Sequence, residues 1–250
     1  MGKVINLIKN KNNEPVYIWL GCTTRYNFKD TIQFIKSIFD RLNIAYQILD
    51  ETKNKYICCA STLWGIGLKE YAENNRSKVE KILKSEVNNT GQIISPCPGC
   101  AGTFKREYSF LTEPRHIVEF LFDNLENMKF ENSKAIQVTY HDSCHLARGL
   151  GVIEEPRSIL KKIPNLTLKE LSYTREKAIC CGSGGGMRAY NKELADSMSS
   201  LIVEEAISLG SSAIVTACPF CERSFIEGRD LIGADIEIRN LLGIIDEFLV

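Results

Sequence analysis

Short apolar runs rich in β-branched and aromatic residues alternate with longer amphipathic stretches along this chain. VYIWLG (16–21), QIISP (92–96), IQVTYHDS (136–143) and SAIVTA (212–217) have the composition of buried strands, and KYI (55–57) and KAI (177–179) are shorter runs of the same kind. Between them lie helical stretches. MRAYNKELADSMSSLIVEEAISLG (187–210) places Leu194, Met198, Leu201, Ile202 and Ala206 at spacings of three to four, with Gly210 as a stop. A similar stretch covers roughly 68–84. Strands alternating with helices predict parallel α/β sheets. In such sheets ligands bind beyond the carboxyl ends of the strands.

The cysteines impose a second order on this pattern. They fall at 22, 58, 59, 97 and 100, then at 144, 180, 181, 218 and 221. Subtracting the first set from the second gives 122, 122, 122, 121 and 121. A period this long indicates a duplicated unit rather than a solenoid. Each cysteine group closes one of the short apolar runs. The polar segment DNLENMKFENSK (123–134) then reads as a linker between a first unit, 1–126, and a second, 131–250. The apolar C-terminal LLGIIDEFLV reads as a helix packed on its own unit.

The remaining composition mostly excludes. Thirty-one basic and 31 acidic side chains balance, which argues against a general binder of nucleic acid or anionic membrane. The N-terminal MGKVINLIKNKNNEP carries too short an apolar run for a signal peptide, and no stretch approaches the roughly 18 apolar residues of a membrane span. A cytoplasmic protein, or one peripheral to a membrane complex, is expected. Ten cysteines in 250 residues in a reducing compartment are metal ligands or catalytic thiols more often than disulfides.

The stretch AICCGSGGGM (178–187) narrows the chemistry. Adjacent Cα atoms lie about 3.8 Å apart, below the roughly 4.4–6.8 Å of an unstrained disulfide. Both thiols of Cys180 and Cys181 can meet one object only where the chain turns, which the following glycines allow. Tetrahedral zinc would leave one of five thiols idle in each unit. A thioredoxin-like CxxC pair would leave three unexplained. The run C-x2-C-x2-C-x3-C-P of ferredoxins is absent. Five thiolates could instead surround a larger or less symmetric iron–sulfur cluster, with backbone N–H groups reaching its sulfides. Pro98 and Pro219, inside the two CxxC motifs, fix the local backbone and remove a donor there.

The spacing C-x35-CC-x37-C-x2-C, then C-x35-CC-x36-C-x2-C, together with YHDSCHLARGLGVIEEPR (140–157), AICCGSGGGM and TACPFC (216–221), resembles the duplicated cysteine-rich "CCG" domain. That domain occurs in the B-type and D-type subunits of heterodisulfide reductase and in iron–sulfur subunits of glycolate, lactate and glycerol-3-phosphate oxidation systems. The resemblance covers nearly the whole chain. In the first unit Ala60 stands where that family has a glycine after the cysteine pair. The resemblance implies two similar Rossmann-like subdomains with short parallel sheets, related by a pseudo-twofold axis. It implies two noncubane [4Fe–4S] clusters, one held by Cys22, Cys58, Cys59, Cys97 and Cys100, the other by Cys144, Cys180, Cys181, Cys218 and Cys221. Its activity would be reduction of a disulfide, CoM–S–S–CoB-like, by an oxidoreductase subunit fed from an iron–sulfur or flavin partner. The alternative is a non-catalytic electron-transfer subunit of a 2-hydroxyacid or glycerol-3-phosphate dehydrogenase complex.

Around the cysteines, His141 and His145 flank Cys144 and are candidate proton donors to a leaving thiolate, or else bonds holding the strand end. Arg148, Arg188, Lys105 and Arg106 are candidates to grip an anionic substrate or offset cluster charge, with solvated surface as the alternative. Trp64 is expected to pack over the first cluster. GSGGG lacks the GxxxxGK[ST] and GxGxxG context of nucleotide loops.

Overall fold

The computed structural model describes residues 16–49, 58–87, 92–108 and 114–250. In chain order the first half runs β1 (Val16–Ile18), α1 (Cys22–Asn27), α2 (Lys29–Arg41), β2 (Tyr46–Ile48), α3 (Ser61–Gly65), α4 (Lys69–Glu86), β3 (Ile93–Ser95), α5 (Pro98–Glu107), β4 (Arg115–His116) and α6 (Ile117–Asp123). The second half repeats that succession: β5 (Ile136–His141), α7 (Cys144–Leu150), α8 (Glu154–Lys162), β6 (Leu166–Lys169), α9 (Met187–Tyr190), α10 (Lys192–Ser208), β7 (Ala213–Thr216), α11 (Pro219–Leu231), β8 (Glu237–Asn240) and α12 (Leu241–Phe248). Each half forms one four-stranded sheet, ordered β2-β1-β3-β4 and β6-β5-β7-β8. Every pairing within them is parallel. Parallel neighbours need helical crossovers, and these cover both faces, so β1, β3 and β7 are buried throughout.

The strand order reverses between β1 and β3, and between β5 and β7. A crevice opens at the carboxyl ends of such a switch point. Cys22 and the CPGC motif (97–100) follow β1 and β3; Cys144 and the CPFC motif (218–221) follow β5 and β7. Pro98 and Pro219 occupy the first helical position of α5 and α11, where proline's fixed φ suits the helix and its missing N–H costs nothing.

The halves share a core. One hydrophobic cluster joins Val16, Ile18, Ile35 and Phe39 of the first to Val138, Tyr140, Val215 and Ile245 of the second. The last helix of each half lies on the second helix of the other, α12 on α2 and α6 on α8. The C-terminal segment is therefore a helix, as its pattern predicts, but it packs across the pseudo-twofold rather than only on its own unit. The expected linker is also partly folded. It holds a 3₁₀ turn at Leu125–Asn127 and a fully buried Met128, and Phe130 bridges to Leu249.

Two further readings need correction. The stretch 187–210 is broken at Asn191, whose side chain caps α10 by accepting from the Leu194 N–H. Within α10 Leu194 and Leu201 point outward, 44% and 61% exposed, and the buried face is Ala195, Ser199, Ile202, Val203 and Ala206. KAI is not a strand: a 3₁₀ turn, Arg175–Lys177, delivers Cys180 and Cys181 from a loop. KYI (55–57) and the N-terminal MGKVINLIKNKNNEP lie outside the described residues. Among the described residues no helix is long and apolar enough to cross a membrane.

Candidate metal centre

All ten cysteines are free thiols, and the structure gathers them into two rows. In the second half Cys144 Sγ lies 3.8 Å from Cys180 Sγ. Cys181 lies close enough to Cys180 and to Cys221, and Cys221 to Cys218, for each to perturb the other's pKa. The first half repeats the order: Cys22 to Cys58, Cys58 to Cys59, Cys59 to Cys100, and Cys100 to Cys97. Each row has a half-buried end, Cys22 with Cys58 or Cys144 with Cys180, and a buried end at the CxxC helix.

Electrostatics within a row follow from thiols sharing protons. Cys100 and Cys58 donate to Cys59 and hold it down to about 5, while Cys100, giving its proton to Cys59 and fully buried, is pushed well up. Cys144 donates to Cys180 and holds it down to about 2, and is itself raised. Cys181 rises to about 12, chiefly by donating to Cys180. Cys218 is lowered by its bond from Cys221, by the Ser143 hydroxyl, and by the N–H groups of Phe220 and Cys221 that open α11. Thiolates are thus available in both rows.

Turn geometry brings the adjacent cysteines onto one row. Gly182, at φ +77°, lets its N–H reach Cys180 Sγ at 3.4 Å. Ala60 holds the same left-handed conformation, φ +66°, and donates to Cys58 Sγ at the same 3.4 Å. The alanine therefore preserves the turn despite its Cβ. Gly21, at φ +78°, is required for another reason: a Cβ there would lie 2.9 Å from Cys100 Sγ.

The donor set fits a polynuclear iron–sulfur group. Among the described residues no three His, Cys, Asp or Glu side chains are arranged around a single metal ion. A row of five sulfurs instead suits an object several atoms wide. Backbone N–H groups already point at the sulfurs, and the buried indole N–H of Trp64, in α3, has no hydrogen-bond partner among the described residues.

The other candidates fall in different places. His145 stands at the half-buried end of the second row, Nδ1 3.7 Å from Cys144 Sγ. Burial lowers its pKa, opposed by Cys180 and helped by Arg106 and Arg148. Its counterpart beside Cys22 is Thr23, which cannot titrate in this range. His141 is buried at the end of β5, edge-on to Phe225, and donates Nε2–H to the Ile179 carbonyl at 2.9 Å, fixing the loop that carries Cys180. Arg148 donates to the Glu176 and Ala178 carbonyls of that same loop. Arg188 is paired with Asp196 and Glu227. Lys105 is exposed and faces Glu119. The geometry thus brings His145 and Arg106 toward the second row, and gives Arg148 and Arg188 partners of their own.

Sequence reasoning missed two groups. Phe220, inside CPFC, packs against the apolar clusters of both halves; its place opposite Gly99 of CPGC was the available signal. Asp142 lies behind Cys144, buried in an ion pair with Arg157. Arg157, fully buried, donates to both Asp142 oxygens at 2.8 and 2.6 Å and to Glu170 at 2.8 and 2.9 Å. The Arg175 N–H also donates to Asp142 at 2.6 Å. The signal there was a charged residue ending an apolar strand.

Comparison with known proteins agrees with the repeat. The model of the cysteine-rich domain CCG matches twice, over residues 16–105 and 138–226. The D-type subunit of the dihydromethanophenazine:CoB–CoM heterodisulfide reductase of Methanosarcina acetivorans is 32% identical over 97% of this chain and 61% of its own length. The B-type subunit of the fumarate reductase (CoM/CoB) of Methanothermobacter marburgensis is 30% identical over 90% of this chain and 45% of its own. The EtfAB:quinone oxidoreductase of Syntrophomonas wolfei is 27% identical over 90% of this chain and 33% of its own. The chain thus spans between a third and three-fifths of these relatives.

Proposed function

Because the chain belongs to the family of the cysteine-rich CCG domain, which it carries twice, we propose that it is an iron–sulfur oxidoreductase subunit of heterodisulfide reductase type. It would hold two noncubane [4Fe–4S] clusters and reduce a small-molecule disulfide, CoM–S–S–CoB-like, with electrons from an iron–sulfur or flavin partner subunit, in the cytoplasm or on the face of a membrane complex. The observation that supports this most is the repetition of one thiol order, open at Cys22 and Cys58 in one half and at Cys144 and Cys180 in the other. Bound there, each cluster would supply one of the two electrons that S–S cleavage needs.

The chain's own residues have definite tasks in this reading. Cys22, Cys58, Cys59, Cys97 and Cys100 would ligate one cluster, and Cys144, Cys180, Cys181, Cys218 and Cys221 the other. The N–H groups of Ala60 and Gly182 hold the first thiol of each adjacent pair in place. Protons are handled on one side only. His145 is neutral at rest, and its lowered pKa makes the protonated ring a ready donor to a leaving thiolate. His141 and Arg148 keep the 176–180 loop in register through its carbonyls.

A second reading, the non-catalytic electron-transfer subunit, is favoured by the engagement of Arg148 and Arg188, which leaves neither ready to grip an anionic disulfide. Anaerobic purification with iron, sulfide and zinc analysis, followed by EPR with and without thiol under mild oxidation, separates the two. About eight irons per chain and a signal that thiol perturbs support the disulfide reductase. Eight irons with no response to thiol support the electron carrier. Zinc without iron overturns both.

A further inference from the structure

The turn that presents Cys180 and Cys181 uses Gly182, yet Gly184, Gly185 and Gly186 follow it. Each of the three meets something different. A Cβ on Gly184 would lie 3.2 Å from Cε1 of His145, the ring beside Cys144 at the half-buried end of the second thiol row. A Cβ on Gly186, at φ +85°, would lie 2.6 Å from Cγ2 of Ile66 in the first half. Gly185 faces Gly65, whose added Cβ would come 3.8 Å from Gly185 Cα. The glycine loop thus touches His145 of its own half and the end of α3 in the other.

The repeat supplies the comparison. Counted from the adjacent cysteines, Thr62, Leu63 and Trp64 stand where the second half has Gly184, Gly185 and Gly186. The first half makes its turn at Ala60 with no glycine before Gly65, so the turn itself does not call for three more. A run of glycines loses extra conformational freedom on folding, and what it gains is close backbone approach. Side chains on one loop and bare backbone on the other let the two meet across the pseudo-twofold. They do so beside thiols that are only half buried, since Cys58 leads into one loop and Cys180 into the other. Ile66 is half exposed and stands at the outer edge of this contact.

We propose that Ile66, seated on Gly186, is a specificity-determining residue. With the 184–186 backbone it forms a constriction between the halves that sets the width of whatever reaches Cys144 and Cys180. The constriction belongs to the chain itself. What it screens rests on the heterodisulfide reductase reading: disulfides carried on slender chains pass, and those bulky beside the sulfur are held off.

Paired alkylation rates test this. The full chain, reduced and metal-free under anaerobic conditions, is treated with substoichiometric iodoacetamide or with the bulky fluorescein maleimide. Modification is read cysteine by cysteine from peptide masses. Both reagents need the thiolate, so the ratio of their rates cancels thiolate fraction and leaves access. Ile66→Ala is expected to raise the bulky-to-small ratio at Cys144 and Cys180 about tenfold, because it removes the methyl groups that hold the glycine loop. The ratio at the buried Cys218 and Cys221 should stay as it is. Ile66→Trp is expected to lower the ratio at Cys144 and Cys180. Because Ile66 is half exposed, neither substitution threatens the fold. A ratio that moves in neither variant, or that rises equally at Cys218 and Cys221, overturns the constriction. The test uses no cluster and no turnover. A chain that passes it and yet cleaves no disulfide when loaded with iron counts against the reductase reading and leaves the constriction standing.

Discussion

Exchanging Ala60 and Gly182 gives two unequal perturbations of one turn. Both residues sit in the left-handed region, at φ +66° and +77°. For an L-residue that conformation costs about 1–2 kcal/mol. A Cβ added at Gly182 would also lie 2.7 Å from Ala195 Cα and 3.1 Å from its carbonyl oxygen. That contact is with helix backbone, which cannot swing aside, and overpacking of this kind costs about 1–3 kcal/mol. Reduced freedom of the unfolded chain returns about 0.4–1 kcal/mol. Gly182→Ala should therefore lose about 2–4 kcal/mol. Ala60→Gly relieves about 1–2 kcal/mol of backbone strain. It forfeits about 0.4–1 kcal/mol of unfolded-state entropy and about 0.8 kcal/mol for a buried methyl, so it should stay within about 1 kcal/mol of neutral. Thermal unfolding of anaerobically prepared protein reads the difference: the second-half variant should melt roughly 4–16 °C lower, and the first-half variant should barely move. Equal losses from the two substitutions, or a neutral Gly182→Ala, would refute the claim that the two turns match in backbone and differ in the room around them.

Five other outcomes can be checked. Arg157→Met strands Asp142, buried with only 1% of its side chain exposed, and should cost about 3–5 kcal/mol in urea unfolding. Burial lowers His116 to about 4, against the Pro96 carbonyl bond that raises it. Its native pKa lies below the unfolded value of about 6.5, so stability is whole above pH 6.5 and about 3 kcal/mol is lost as pH falls toward 4; His116→Asn should flatten that limb. Glu222, pushed up to about 7 by burial, works in the opposite sense. Its contribution is present below pH 4.5 and lost as pH rises through 7, so Glu222→Gln should raise stability at pH 8 relative to wild type. Cys181→Ser should reduce iron from about eight to about four per chain. His145→Gln should slow disulfide turnover about 10²- to 10⁴-fold while leaving iron unchanged.

The cysteine arithmetic made the duplication legible, and the apolar runs before Cys22, Cys97, Cys144 and Cys218 made four strands legible, because buried parallel strands are continuous apolar segments. Arg115–His116 and Glu237–Asn240 were not legible as strands. They are short and polar, and take their conformation from pairing with β3 and β7. The face of α10 was misassigned because Leu194, Met198 and Leu201 are its larger apolar residues, whereas the smaller Ala195, Ser199 and Val203, one position away, face the core with Ile202 and Ala206. Cross-packing of α12 on α2 could not be read from the residues of either half, since an apolar helix does not name the surface that covers it. At the site, the sequence pointed to both histidines beside Cys144 but not to their different orientations. His141 is drawn inward by a carbonyl, and His145 is left against a sulfur.

Besides Ala60 opposite Gly182, Phe220 opposite Gly99 and the 62–64 side chains opposite three glycines, the departures from symmetry fall at titratable and charged side chains. The thiol order, the left-handed turn after the adjacent pair and the proline-opened CxxC helix are the same in both halves. By contrast, Thr23 stands opposite His145, Leu20 opposite Asp142, which is buried with Arg157, and His116 opposite Asn240. Splitting a disulfide divides two electrons evenly, but its two product sulfurs need not be protonated together or by the same group. A duplicated pair of sulfur rows meets the even requirement; a single titratable ring beside Cys144 makes the two sides unequal. On the disulfide-reductase reading the pH profile of turnover is therefore expected to follow one group, with an alkaline limb where His145 loses its proton. It should lose that limb in His145→Gln while keeping the same shape in a Thr23→Val protein. A profile that shifts equally in both variants would mean that the two sides share the proton chemistry and that His145 serves only to pack against Gly184 and Cys144.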